Sequence, residues 1–179
     1  MSKIEKLESR IAYQNKWMTL REDSILRNGV QRGVFGVVEK PDFVVIVAVE
    51  NGYIHLVNQY RYPLGANFWE LPQGSWEENA EADPAEIAAG ELKEETGIEA
   101  GSMRHIAHQL LAPGFCTQGY HIFLAEQLTF GEAEPDAEEH DIVSARFSLA
   151  EFEDMIHSEI IKDSTTIAAY LLVKSKGLV

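Results

Sequence analysis

A single cysteine, Cys116, can close no disulfide within this chain and cannot seed a zinc site built on several thiolates. Long apolar runs are missing too: no stretch approaches the roughly 20 residues that a bilayer-spanning helix needs. The opening MSKIEKLESR is charged and has no apolar segment of the secretory kind, so a cytoplasmic location is expected. Positive charge is scarce, with 15 Lys+Arg against 29 Asp+Glu and a formal net charge of -14. A field of that sign repels nucleic-acid backbones and anionic lipid, so neither nucleic acid nor a membrane is an expected partner. Repeats and low-complexity linkers are absent, and 179 residues suit one structural unit.

What is present starts with a core. The chain is 45% hydrophobic, and a domain of this size buries roughly 70% of the surface its unfolded chain exposes. The acids are concentrated rather than spread. Residues 77–99 carry a net charge of -8 and residues 131–141 carry -6, which is the whole net charge. Such clusters are either solvated faces or sites for hard divalent cations, which take oxygen ligands.

The hydrophobic pattern predicts a layer of strands over about residues 1–40, with Gly29 and Gly33 punctuating a hairpin-like return. FVVIVAVE (43–50) is a continuous β-branched run, as in a strand buried on both faces. Asn51-Gly52 predicts a tight hairpin into YIHLVNQYRY (53–62), and Pro72 stops a short strand at FWELP. A helix is predicted over 84–96, with Asp83 as N-cap, Pro84 at its first position, Glu86 completing a capping-box pattern and Gly97 at its end. MRHIAHQLL and YHIFLAEQLTF read as strands joined by a Pro113-Gly114 turn, and IVSARFSL as a further strand. Amphipathic helices follow at about 149–157 and 164–176. The class is α/β or α+β with a mixed sheet.

On the predicted helix, Glu91, Glu94 and Glu95 stand at i, i+3 and i+4, on one face. Like charges at that spacing repel by tenths of a kcal/mol per pair. A cation held among them removes the repulsion; a solvated face is the alternative, and spacing alone leaves both open. The histidines are scattered and show no HxxxH-type pair, so zinc is not expected. Cys116 reads as a bystander.

GELKEETGI (90–98) resembles the C-terminal half of the Nudix box, G-x5-E-x7-R-E-U-x-E-E-x-G-U with U aliphatic, and WELPQG (69–74) is similar to the segment that opens it. With QYRYP (59–63), LLAPGF (110–115), AEEHDIVSARFSL (137–149) and the approach to the last helix, the resemblance extends over nearly the whole chain and points to the ADP-ribose and nucleotide-sugar pyrophosphatase branch. It implies a Nudix α/β/α sandwich with a mixed sheet and an N-terminal antiparallel β layer. Residues 1–40 would form that layer and a homodimer seam, and residues 41–179 the catalytic domain. It also implies hydrolysis of the diphosphate of ADP-ribose or a nucleotide sugar, giving a nucleoside monophosphate and a sugar phosphate, with Mg²⁺ or alternatively Mn²⁺.

By the same resemblance, Glu91, Glu94 and Glu95 would hold metal, joined by the backbone carbonyl of Gln73. The general base would lie on the acidic loop at Glu138, with Glu139 the neighbouring alternative, and His140 would fall where some relatives place a further metal-binding acid. Substrate contacts would come from Arg61, Glu70 and Trp17. The bland readings are a strand-end salt bridge for Arg61 and a buried structural tryptophan for Trp17. Trp76, in a lengthened loop, is a candidate to cover the site.

Two departures from the box stand out. Gly90 replaces the box arginine, and Gly74 lies 16 residues before Gly90 rather than 14, which puts Ala82 where the first box glutamate belongs. A mid-helix glycine costs about 1 kcal/mol against alanine. Gly90→Arg is therefore expected to raise helix propensity and lower the Mg²⁺ requirement, unless a group near 76–82 already fills that space. The altered box is also what a non-catalytic Nudix-fold sensor of nucleotides would show, although such a sensor has no use for all three helix glutamates.

Overall fold

The computed structural model describes residues 3–76, 82–133 and 141–179. Strands β1 (Ile4–Gln14), β2 (Thr19–Arg27) and β3 (Gln31–Glu39) form a three-stranded antiparallel sheet. The turn between β2 and β3 uses Asn28 and Gly29, both at positive φ, 52° and 73°. This layer is tied to the rest of the chain by the Val38 N–H to the Phe115 carbonyl, 2.8 Å, and the Thr117 N–H to the Val38 carbonyl, 2.9 Å.

The second sheet has seven strands: β4 (Phe43–Glu50), β5 (Tyr53–Arg61), β6 (Ala66–Glu70), β7 (Gln73–Gly74), β8 (Ile98–Leu110), β9 (Gly119–Phe130) and β10 (Val143–Ser148). Its order is β10-β5-β4-β9-β8, with β6 paired to β5 and β7 to β4. β4 and β9 run parallel and the other described pairings are antiparallel, so the sheet is mixed. Helices α1 (Pro84–Thr96), α2 (Leu149–His157) and α3 (Ser164–Ser175) cover it.

The core explains the apolar run in β4. Val44, Ile46 and Ala48 join Ile87, Ala88 and Leu92 of α1 on one face. Val45 and Val47 join Phe152 of α2 and Ala169, Tyr170 and Val173 of α3 on the other. Side chains alternate across a strand, so one central strand feeds both cores and needs apolar residues throughout. Residues Val44 to Ala48 are at most 1% exposed. The arrangement is the expected α/β/α sandwich. No helix among the described residues is long and apolar enough to cross a membrane.

Helix α1 has the predicted bounds. Its Asp83 carboxylate accepts from the Ala85 N–H at 2.9 Å rather than from Glu86, so the cap forms without the expected box. Gly97 ends the helix at φ 70°, and a Cβ there would also lie 2.6 Å from the Gly131 carbonyl, so two constraints demand glycine. β8 begins directly after it at Ile98, earlier than the sequence pattern indicates, and β7 was not legible as a strand.

Candidate active site

Helix α1 turns Glu91 and Glu95 inward, 7% and 3% exposed, with half-buried Glu94 between them in sequence. β7 pairs Gln73 with Val45 and Gly74 with Val44, which lays the Gln73-Gly74 backbone along this face of the helix. The Gln73 N–H donates to Glu95 Oε2 at 3.2 Å. A Cβ on Gly74 would fall on the Glu91 carboxylate, so glycine is required where the strand passes the helix. Buried carboxylates are costly unless paired or bound to a cation. Two buried carboxylates and one half-buried, all oxygen ligands on one helix face beside the Gln73-Gly74 backbone, fit a hard divalent ion.

Next to this cluster lies a cleft of about 530 Å³, lined in part by Lys40, Phe43, Arg61, Phe68, Glu70, Gln73, Gly74, Gln118 and Lys162. Three cationic side chains converge here in a chain of net charge -14. Arg61, at the end of β5, donates from Nε to Glu70 Oε1 at 3.0 Å and to Oε2 at 3.1 Å, and Nη2 also pairs with Oε2. Glu70 is 4% exposed and takes a further bond from the Gln73 side-chain amide at 2.5 Å. Burial pulls the Arg61 guanidinium down, but the Glu70, Asp163 and Glu95 carboxylates outweigh it and hold it above its ordinary value. It stays charged.

The structure thus gathers Arg61, Glu70 and Gln73 on one cleft wall, with Glu91 and Glu95 against Gln73 and Gly74. The salt-bridge reading of Arg61 is realised, and the same side chain lines the cleft. The Gln73 side chain, for which no part was expected, holds Glu70. Trp17 is not among the residues lining the cleft: it sits in the turn between β1 and β2 with Lys16 Nζ 4.2 Å from its ring centroid. At 44% exposed it is not the buried structural tryptophan the sequence allowed. Glu138, Glu139 and His140 lie outside the described residues.

Trp76 does not line the cleft either. It packs beside the Ile87–Leu92 face of α1 and fills the space next to Gly90. Lys40 and Lys162 were not singled out from the sequence. Lys162 precedes Asp163, whose carboxylate caps α3 by accepting from the Thr166 N–H at 2.8 Å, and this places the lysine at the cleft rim. With basic residues so scarce, each one at an element boundary was a usable signal.

Comparison with known proteins matches residues 39–167 to the family described as the NUDIX domain. Residues 4–38 match the nucleoside diphosphate sugar hydrolase N-terminal domain. The chain is 33% identical over 172 residues to a Mycobacterium tuberculosis protein named ADP-ribose pyrophosphatase, covering 95% of this chain and 83% of that one. It is 33% identical over 157 residues to a Bacillus subtilis protein of the same name, covering 86% and 83%. A Bacillus methanolicus protein named methanol dehydrogenase activator is 33% identical over 150 residues, covering 83% and 80%. In fold, the chain matches a solved structure described as an ADP compounds hydrolase with a TM-score of 0.85 at 20% identity, covering 99% and 97% of the two chains.

Proposed function

The chain belongs to the NUDIX domain family of hydrolases, and from that premise we propose that it is a Mg²⁺-dependent pyrophosphatase, with Mn²⁺ as the alternative ion. Its substrate would be ADP-ribose or a related nucleotide sugar, and its products a nucleoside monophosphate and a sugar phosphate. One observation carries this reading: a cleft holding Lys40, Arg61 and Lys162 abuts a helix face with two buried carboxylates, Glu91 and Glu95, and the half-buried Glu94. Cations grip a diphosphate, and carboxylates hold the ion that neutralises it. The relatives named ADP-ribose pyrophosphatase support the substrate class.

Glu91, Glu94 and Glu95, with the Gln73 carbonyl, would hold the ion. When bound, it supplies charge neutralisation at the phosphate oxygens and a more acidic attacking water. Arg61 orients the diphosphate through its planar fork, which Glu70 and Gln73 lock in place. Lys40 and Lys162 add point charges, while Phe43 and Phe68 offer apolar walls to the nucleoside or sugar. Glu138, or its neighbour Glu139, takes the proton from the attacking water as general base. A purely sensing module would have no use for carboxylates buried on this face.

Residues 1–40 are proposed as the homodimer layer, and Trp17 as a contributor to the seam or to substrate across it. Every residue of β1 is exposed, and among its charged side chains stand the apolar Ile4, Leu7, Ile11 and Tyr13, the last two at 60% and 53%, which a partner copy would cover. A cytoplasmic location fits this reading. The test is a phosphate-release screen over ADP-ribose and nucleotide sugars with Mg²⁺, coupled to a phosphatase. Hydrolysis of at least one to the two monophosphates is expected; inertness toward all of them contradicts the proposal.

A further inference from the structure

Three histidines of two consecutive strands, His105, His108 and His121, meet at one end of the large sheet. His108 of β8 lies opposite His121 of β9, and His105 lies opposite Phe123. Residues three apart on a regular strand face opposite sides. A bulge between His105 and Ala107 inserts one residue, and both β8 histidines then share a face with His121. Their rings pack, with centroids 4.7 Å apart for His108 and His121 and 5.3 Å for His105 and His121. This convergence is why no metal spacing is visible in the sequence.

Asp42, just before β4, completes the group. Its Oδ2 lies 2.7 Å from His108 Nε2 and 3.8 Å from His121 Nε2. Its Oδ1 accepts from the Gly119 N–H at 2.6 Å, which fixes the orientation of the carboxylate. Residue 119 must be glycine, because a Cβ would strike the His108 ring and lie 2.8 Å from the Gln109 carbonyl. On the far side of His121, its Nδ1 is 3.2 Å from His105 Nε2.

We propose that Asp42, His108 and His121 form a second metal site, for a borderline divalent ion of the zinc class, with His105 orienting His121 from behind. One ligand atom from each of the three residues lies within 4.8 Å of the others. Tetrahedral zinc with bonds of about 2.0–2.2 Å separates its ligand atoms by roughly 3.3 Å, between the two contacts to Asp42. Two imidazoles and one carboxylate suit zinc rather than Mg²⁺, and three protein ligands leave one position for water or a ligand. Asp42 and His108 are 39% and 40% exposed at the side chain, so the ion exchanges with solvent. The His121–His105 contact is the outer-shell arrangement that fixes a ligating ring. Ordinary pairing with Asp42 accounts for His108 at 2.7 Å and more loosely for His121 at 3.8 Å; it gives no reason for the third ring.

The test uses the full chain with labelled histidine rings in excess Mg²⁺, and one equivalent of Zn²⁺ followed by nitrogen-resolved NMR. The Nε2 signals of His108 and His121 should move to metal-bound positions. His105→Ala should weaken zinc binding by roughly 10- to 100-fold, and His121→Ala by more. Zinc that binds while leaving both rings unchanged sits elsewhere and overturns the proposal, as does the absence of any ring response. The wild-type spectrum decides this even where a variant fails to fold.

Discussion

The indole of Trp76 occupies the space beside Gly90: a Cβ built on Gly90 would fall on Cζ2 of the ring and lie 3.3 Å from Cε2 and Cη2. The position that carries an arginine in the Nudix box is therefore filled from the lengthened loop. Glycine at 90 leaves the space that the tryptophan at 76 fills, at the low intrinsic helix propensity of glycine.

This is the alternative the sequence left open for residue 90, a group from 76–82 filling the space. Gly90→Ala gains up to about 1 kcal/mol in helix propensity, but overpacking against the ring costs typically about 1–3 kcal/mol. Gly90→Ala should lower the melting temperature and Gly90→Arg should lower it further, without reducing the Mg²⁺ requirement. In a Trp76→Ala background, Gly90→Ala should become neutral or stabilising. Additive melting shifts across that double-mutant cycle would separate the two residues energetically.

Arg61 and Glu70 make the next coupled pair. Arg61→Ala leaves the Glu70 carboxylate buried with the Gln73 amide as its remaining described hydrogen bond, at a cost of about 1.5–3 kcal/mol. Arg61→Lys keeps the charge but loses the fork. Both should raise KM roughly tenfold, about the value of one charge-assisted hydrogen bond, while leaving kcat within a few-fold. Steady-state kinetics with denaturant melts checks both effects; an unchanged KM makes the pair purely structural.

For the base, Glu138→Gln should slow the chemical step by about 100- to 10,000-fold with substrate affinity retained. If Glu139→Gln carries that loss instead, the base is the neighbouring residue. Single-turnover rates distinguish them.

His55, 8% exposed on β5, sets a pH dependence. Burial first, then the charge of Arg146, holds it below its ordinary value of 6.5, against a smaller opposing pull from Glu50. A histidine depressed in the folded state binds its proton more readily when unfolded. Its contribution is therefore intact above about pH 6.5 and is lost as pH falls below it. Melting temperature should drop between pH 7 and pH 5, and His55→Gln should flatten that slope. An equal slope in both proteins would remove His55 as the cause.

The sequence was informative where local rules dominate. Asp83, Pro84 and Gly97 bracket α1 because caps are written in residue types, and the run at 43–50 is apolar because β4 serves two cores. The i, i+3, i+4 glutamates were legible for the same reason. What stayed hidden depends on tertiary placement. Gln73-Gly74 is too short to carry strand periodicity, and the sequence narrowed the group beside Gly90 only to 76–82, not to Trp76. Lys40 and Lys162 reach one cleft from different ends of the chain. The histidine group needs a bulge that no spacing announces.

Glu95→Gln offers the most direct measurement. Its carboxylate is 3% exposed, faces the cleft wall through the Gln73 N–H and sits on the shared glutamate face. Mg²⁺-dependent turnover of ADP-ribose or the best nucleotide sugar should fall at least about 100-fold, the usual consequence of removing a preorganised charged partner. Melting temperature should hold or rise, because a repulsive charge leaves the helix. Near wild-type turnover at saturating Mg²⁺ in a folded Glu95→Gln protein would contradict the metal-dependent reading of this site.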